Sequence, residues 1–330
     1  MTLPVWARAH GSLLFAATIR TTPSDFEVTE ELGFELDGAG EHDYLYVEKT
    51  GTNTEWLSRQ LAKFAAVPAK DVGYSGLKDR HAVTRQWFSV PRWNAPDWEN
   101  VDVHDVSILD VQRHSRKLRR GAHKRNHFSI VLRGDSLAQH GAALNERLAV
   151  IGSQGLPNYF GEQRFGRDGG NLALADAWAR GKRLPRHKRS IAISTARSFL
   201  FNEILDARVR DGSWNRILQG DVANLDGTGS IFDIATVDDD IERRCAEMDI
   251  HPTAPLAGDG STGQSLFEQR PKWMAALAKG RVEPGTRSLR LRVSELRMEM
   301  DDESVTLEFS LGRGAYATSV LREIVTATAG

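Results

Sequence analysis

Cysteine and long apolar runs are scarce in this sequence. The single cysteine, Cys245, excludes a disulfide framework and a multi-cysteine zinc site within one chain. No apolar run approaches the roughly 18 residues that a membrane-spanning helix needs. The start, MTLPVWARAH, also lacks the basic and then apolar order of a secretory signal. These absences predict a cytoplasmic protein that does not associate with a membrane.

Paired metal-ligand spacing is missing as well. The ten histidines never form a pattern such as HExxH. The nearest candidates, His123 and His127, lie in a strongly basic stretch that would repel a cation. We therefore predict no metal site.

The formal net charge of -1 at pH 7 argues against a protein that coats nucleic acid indiscriminately. The charges are nevertheless unevenly distributed, because acidic residues crowd the segment 238–249 and basic residues crowd the segment 113–125. The basic residues of that segment are Arg113, Arg116, Lys117, Arg119, Arg120, Lys124 and Arg125. Such a run is more often a solvated surface than a binding site, but it permits one basic face on a neutral protein.

Hydrophobic periodicity divides the chain into parts of different character. Residues 13–20 and 43–50 are predicted strands, with a polar turn at 21–31 between them. A helix is predicted for TNTEWLSRQLAKFAAV, with a capping threonine, and short β-type runs follow up to residue 134. Another helix, AQHGAALNERLAVIGSQG, stops at a glycine. The first part of the chain is therefore predicted to be α+β and rich in strands.

The later part of the chain contains several helical segments, among them NLALADAWARG, STARSFLFNEILDARVRDG and IERRCAEMDI. At the end, SVTLEFSLGRG alternates as a strand and AYATSVLREIVTATAG is predicted to be a helix. We predict a first domain over 1–154, a mainly helical inserted domain over 155–297, and a return to the first domain over 298–330.

The segment GYSGLKDRHAVTRQWFSV places four charged or titratable residues, Lys78 to His81, between apolar flanks. A carboxylate such as Asp79, held beside fixed cations, is favoured in its ionised form and can act as a nucleophile. On spacing alone, a surface turn in which Asp79 pairs with Lys78 or Arg80 is the favoured interpretation.

The string GLKDRHA resembles the catalytic motif of the TruD family of pseudouridine synthases, in which the aspartate is the nucleophile. Four further blocks resemble the same family in the same order: TPSDFEVTEELGF, KRNHF, PNYFGEQRFGRDGGNL and YATSVLRE. The resemblance extends from about residue 21 to residue 325. It implies that Asp79 is the catalytic nucleophile.

The resemblance also implies which residues meet the substrate, with Phe26 and Tyr316 near the target base and Asn126 hydrogen-bonded to it. The substrate-binding residues that it implies are Phe26, Asn126, Tyr316, Arg20, Lys78, Arg80 and Phe128. Without the resemblance, Phe26 and Tyr316 would be ordinary core aromatics and Asn126 a turn residue. The sequence departs from the family at Tyr316, which is phenylalanine in some members, and at Arg20, where some members carry lysine with its different geometry.

Three segments are candidates for contact with RNA. Two are basic runs, one that ends directly at Asn126 and a later one at 179–190. The third is PNYFGEQRFGR, where aromatics alternate with cations as in proteins that stack on RNA bases. The residues predicted to bind RNA are Arg116, Lys117, Arg119, Arg120, Lys124, Arg125, Arg164 and Arg167. The aromatic segment is equally compatible with a packing hinge between domains.

For fold, the family resemblance implies a pseudouridine-synthase-type mixed, largely antiparallel sheet with flanking helices, plus an inserted, mainly helical domain. For function, it implies a tRNA pseudouridine synthase that isomerises uridine 13 in the dihydrouridine arm, with a flipped-out base and no cofactor. The tRNA substrate is the only partner implied, and we expect a monomer.

Two other classes of protein compete with this interpretation. An RNA-binding module without catalysis would keep the basic segments, although the intact GLKDRHA block argues against it. A nuclease would normally need paired carboxylates for a metal or a histidine pair, and the sequence offers no convincing set. Attack by Asp79 at the base, attack at C1′ and a glycal route all stay open.

Overall fold

Sixteen strands and eight α-helices occur in the part of the chain that the computed structural model describes, residues 3–261 and 265–330. The strands are β1 Phe15–Ile19, β2 Phe26–Leu32, β3 His42–Lys49, β4 Gly73–Tyr74, β5 Val83–Pro91, β6 Val106–His114, β7 His123–Arg133, β8 Leu156–Pro157, β9 Val222–Leu225, β10 Ile231–Asp233, β11 Ile250–Leu256, β12 Gly285–Ser288, β13 Arg290–Leu291, β14 Val293–Met300, β15 Ser304–Gly312 and β16 Val325–Ala329. The helices are α1 Thr54–Phe64, α2 Gly141–Gln154, α3 Gly170–Ala179, α4 Arg186–Arg210, α5 Asp239–Ala246, α6 Ser265–Glu268, α7 Pro271–Lys279 and α8 Ala317–Leu321. None of the helices described is long and apolar enough to cross a membrane.

The chain folds into two compact units. The sheet unit comprises residues 13–148, 293–317 and 324–330. The mixed unit comprises the described residues of 1–12, 149–292 and 318–323.

A ten-stranded sheet forms the sheet unit, with the main order β14-β15-β7-β2-β5-β3-β6. β4 pairs with β5, and β1 pairs with both β16 and β7. The β2–β5 and β1–β16 pairs are parallel, and the other pairs are antiparallel. This mixed, largely antiparallel sheet confirms the predicted fold class.

One face of this sheet, here called the site face, is buried more deeply than the other. β7 alternates buried and half-buried residues over its length, as a strand with one covered face requires. In β2 the buried residues Phe26, Val28 and Glu30 lie beside Ile130, Phe128 and Asn126 of β7, respectively. Helix α1 joins the hydrophobic core on this face by packing its leucines with apolar residues of β3 and β5.

The N-terminus of α1 differs in detail from the prediction. Its cap is Asn53 rather than a threonine, because the Asn53 side-chain oxygen accepts the backbone N–H groups of Glu55 and Trp56 at 2.8 and 3.2 Å. The hydroxyl of Thr54 instead contacts the GLKDRHA segment, where it accepts the backbone N–H of Lys78 at 3.1 Å.

Two predictions of local structure were wrong. The predicted polar turn at 21–31 contains most of strand β2. The segment FEVTEEL alternates buried and half-buried residues, and it pairs with β5 on one side and β7 on the other. The predicted C-terminal helix ends at Leu321. The segment Val325–Ala329 forms a strand parallel to β1, as its alternating β-branched residues favour.

The mixed unit contains a helical core and a small sheet. Helices α3, α4, α6 and α7 pack around a cluster of buried aromatic and aliphatic residues. Strands β9 to β12 form a four-stranded sheet in the order β10-β9-β11-β12, and β8 pairs with β13. The sequence analysis did not predict these short strands.

Candidate active site

Asp79 lies in the loop that connects β4 to β5, in the sheet unit. One carboxylate oxygen of Asp79 lies 2.7 Å from Nη2 of Arg20, and the other accepts the backbone N–H of His81 at 3.0 Å. The Asp79 side chain retains 31% of its exposure. The carboxylate is therefore held in one orientation while remaining accessible to a ligand.

Arg20, which directly follows β1, is the cation beside this carboxylate. Its backbone has φ of +60°, a left-handed conformation that is uncommon for residues other than glycine. The guanidinium lies 4.3 Å from the centre of the Phe26 ring, and its buried Nε has no hydrogen-bond partner among the described residues. Strained backbone of this kind persists where surrounding contacts fix it, often at functional sites.

The two cations next to Asp79 in sequence have other positions. Lys78 forms an ion pair with Glu30, and both side chains are buried, Glu30 fully. Arg80 is exposed and has no hydrogen-bond partner in the part of the chain described. The ion pair of Asp79 with Lys78 or Arg80, considered from spacing alone, is therefore replaced by a pair with Arg20, which is distant in sequence.

Lys49 is a buried cation that the sequence analysis missed. It is 1% exposed, and its Nζ donates to the backbone oxygen of Thr52 at 2.7 Å and to that of Asp79 at 3.5 Å. Burial lowers the pKa of Lys49 to about 8. No sequence pattern marks this lysine at the end of a predicted strand as buried, because its burial depends on a distant segment that folds over it.

Asn126 lies on the site face of β7, beside Glu30 of β2. It is 9% exposed, and its side-chain oxygen has no hydrogen-bond partner among the described residues. His123, at the start of the same strand, has an unpartnered Nδ1, and burial lowers its pKa. Unpartnered buried polar atoms are costly, so a cluster of them at one place is a feature of binding sites.

The remaining aromatic candidates differ in burial. Phe128 is buried between Phe26, whose ring it meets edge-on at 6.4 Å, and Phe309, on which it stacks at 5.3 Å. Tyr316 follows β15 and is 42% exposed. Direct contacts thus connect Asp79, Arg20, Phe26 and Phe128, while Tyr316 lies in the same unit with its ring open to solvent.

The predicted RNA-binding residues of the first basic run fall into two groups. Arg116, Lys117, Arg119 and Arg120 are exposed on the loop between β6 and β7. Lys124 and Arg125 instead form ion pairs with Glu31, on the side of the sheet away from the site face. These contacts, together with His127, lower the pKa of Glu31 to about 2, with the Arg125 hydrogen bond as the largest cause.

The aromatic residues of PNYFGEQRFGR are packed inside the mixed unit. Tyr159, Phe160 and Phe165 belong to its buried core, which favours a packing role over stacking on RNA bases. Arg164 donates to the hydroxyl of Ser194 at 2.9 Å. The side chain of Arg167 lies outside the described part of the chain.

Comparison with known proteins gives a consistent result. The family model of tRNA pseudouridine synthase D (TruD) matches residues 14–177 and 173–324. The chain is 44% identical to tRNA pseudouridine synthase D of Methylococcus capsulatus over 96% of this chain and 93% of that protein. It is 43% identical to the protein of the same name from Aeromonas salmonicida, over 96% and 93% of the two chains.

Among solved structures, the fold is similar to that of a tRNA pseudouridine synthase D (TruD) from Methanosarcina mazei. The TM-score is 0.77 at 20% sequence identity, over 98% of this chain and 96% of that one. The extent of the family match and the level of identity to the relatives establish the family. The chain belongs to the TruD family of tRNA pseudouridine synthases.

Proposed function

We propose that the protein isomerises uridine 13 in the dihydrouridine arm of tRNA to pseudouridine, with Asp79 as the nucleophile. The observation that carries this proposal is the Asp79 carboxylate, which is partly exposed and oriented by Arg20 and the His81 N–H. The Arg20 guanidinium lies over the Phe26 ring, and Asn126, whose buried side-chain oxygen has no partner among the described residues, lies on the site face of the same sheet. The relatives, both tRNA pseudouridine synthases by name, support tRNA as the substrate.

The reaction needs no net redox change. The N1–C1′ bond breaks, the uracil rotates, C5 bonds to C1′, the proton on C5 leaves to solvent, and N1 takes up a proton from solvent, so that substrate and product are isomers. If Asp79 attacks C1′, its oxygen forms a temporary ester while the uracil leaves with the N1–C1′ electron pair, and C5 then displaces the carboxylate. Attack at the base, or removal of a sugar proton on a glycal route, would use the same oriented carboxylate.

The other site residues have roles that follow from their contacts. We infer that Arg20 keeps Asp79 in its attacking orientation and is itself held over Phe26. The unpartnered oxygen of Asn126 is an acceptor for the N3–H of the uracil, and its amide nitrogen is a donor to a uracil carbonyl. Tyr316, exposed and unstacked, is available to cover a flipped base, where stacking contributes about 1–3 kcal/mol.

We also propose that the mixed unit corresponds to the inserted domain predicted over 155–297. The main segment of that unit is 149–292, and short stretches from both ends of the chain complete it. The catalytic residues proposed above all belong to the sheet unit.

A tritium-release assay tests the function directly. Unmodified tRNA labelled at C5 of uridine is incubated with wild type, Asp79→Asn and a matched control, Asp110→Asn, which removes an exposed carboxylate from β6. We expect wild type and the control to release tritium and Asp79→Asn to release none while still binding tRNA. Carbodiimide mapping of the product should place the modification at position 13.

Each other outcome removes a defined part of the proposal. Release that maps to another position refutes uridine 13 as the target. Release by Asp79→Asn refutes the nucleophile. Binding of tRNA without release by wild type refutes isomerisation and favours an RNA-binding module.

A further inference from the structure

A pocket of about 670 Å³ lies on the sheet unit between α1, residues 69–74 and the loop that precedes β7. Its lining contains five cations and one carboxylate, Glu55. The cations are Arg59, Lys70, Lys117, Arg119 and Arg120. This pocket, here called the basic pocket, contains two cations that lie far from the basic run in sequence, Arg59 on α1 and Lys70 just before β4.

The cations of the basic pocket are poorly neutralised. Of these five cations, only Arg120 forms an ion pair within the described part of the chain, with Glu55 at 3.8 Å. Elsewhere in the sheet unit arginines are closely paired, as in Arg85 with Glu27 and Glu48 at 2.7 Å each. Among the described residues, Arg59 and Lys70 form no ion pair. The pocket therefore presents positive charge that protein carboxylates do not satisfy.

The loop that forms one wall is firmly held. Leu118 is buried, and its backbone N–H donates to the hydroxyl of Ser89 at 2.8 Å. A Cβ atom at Gly73 would lie 2.3 Å from the backbone oxygen of Leu118, so only glycine permits the loop to approach β4 so closely. The guanidinium of Arg120 stacks 3.8 Å from the centre of the Tyr74 ring. Arg120 is thus oriented in advance and the loop backbone is fixed, which reduces the entropic cost of binding at this wall.

The basic pocket is continuous with the loop that carries Asp79. The N–H of Gly121 donates to the backbone oxygen of Ser75 at 2.7 Å, and Thr54 at the start of α1 accepts the N–H of Lys78 at 3.1 Å. From Thr54 to Arg59 the helix rises about 7.5 Å. That length corresponds to about two base-pair steps along the axis of a nucleic-acid duplex, at roughly 3.4 Å each.

We propose that the basic pocket binds backbone phosphates of the RNA strand next to the nucleotide that enters the Asp79 site, with Arg59 and Lys70 as phosphate contacts. The proposal rests on the proposed function, because it takes tRNA as the ligand. Lysine and arginine contacts to phosphates position a nucleic acid without reading its sequence. They release counterions on binding, so the affinity for RNA depends on salt.

The test compares Arg59→Gln/Lys70→Gln with a control that removes two cations elsewhere, Lys63→Gln/Lys272→Gln, both exposed and outside the basic pocket. Equilibrium binding of unmodified tRNA is measured from 50 to 200 mM KCl, together with tritium release. For two lost phosphate contacts, the slope of log affinity against log salt should become shallower by about 1.4. Over this fourfold range of salt, the affinity of wild type should fall about sevenfold more than that of the variant.

The kinetic readout separates binding from catalysis. We expect the pocket variant to have a raised KM and an unchanged kcat at saturating tRNA, and the control to keep the wild-type slope and KM. An unchanged slope in the pocket variant, or an equal change in the control, overturns the phosphate site while leaving the synthase function intact. If wild type itself releases no tritium, the proposed function fails, and the salt slopes still report whether the pocket binds RNA.

Discussion

Replacing Asn126 by leucine should make the unliganded protein more stable and a poorer enzyme. The Asn126 side-chain oxygen is buried without a partner among the described residues, and such an atom costs about 1–3 kcal/mol. Leucine has a similar branched shape and no polar atom, so it removes that cost. After allowance for imperfect packing, we expect the free energy of unfolding to rise by about 1–2 kcal/mol.

The same substitution removes the proposed partner of the uracil edge. A base that enters the site would then leave its own N3–H unpaired in a buried place, which costs about 1–3 kcal/mol. Since about 1.4 kcal/mol corresponds to a factor of ten, kcat/KM should fall by about 5- to 150-fold. Urea denaturation monitors the stability, and tritium release from C5-labelled tRNA monitors the activity.

Thr84 provides a matched control on the same sheet face. Its hydroxyl is also buried without a hydrogen-bond partner among the described residues, but it lies on β5, opposite Lys49 of β3. Thr84→Val should therefore raise the free energy of unfolding by about 1 kcal/mol and leave kcat/KM unchanged. Reduced stability of Asn126→Leu together with full activity would refute the reasoning, because Asn126 would then be a structural residue with satisfied contacts.

Two further predictions concern buried charges on the site face. Lys78→Met should lower the free energy of unfolding by about 3–5 kcal/mol in urea denaturation, because it leaves the fully buried Glu30 without its ion-pair partner. The double variant Lys78→Met/Glu30→Leu should recover most of that loss. A single variant as stable as wild type would contradict this prediction. Burial lowers the pKa of Lys49 from 10.5 to about 8, so the unfolded chain binds more protons between these values and stability should rise with pH there. The free energy of unfolding of Lys49→Met should consequently exceed that of wild type by up to about 3 kcal/mol below pH 8, and the difference should shrink towards pH 10. A difference that stays constant across this pH range would show that Lys49 keeps its ordinary pKa.

Local sequence patterns identified most of the elements that carry the site. Strands β3 and β7 and helices α1 and α2 follow from alternation, helical spacing and end signals, which act over a few residues. The two failures, at 21–31 and 315–330, are segments where pairing with strands distant in sequence decides between turn, helix and strand. Short-range patterns do not contain that information.

The family resemblance and the candidate residues around GLKDRHA can be recognised without a structure, because such a motif is a local string of residue types. The pairing of Arg20 with Asp79, the pairing of Lys78 with Glu30 and the burial of Lys49 against the Asp79 loop are visible only in the folded chain. It also placed the aromatics of PNYFGEQRFGR in a core. These contacts join residues far apart in the chain, so they depend on strand register and packing, which fix partners that sequence spacing leaves open.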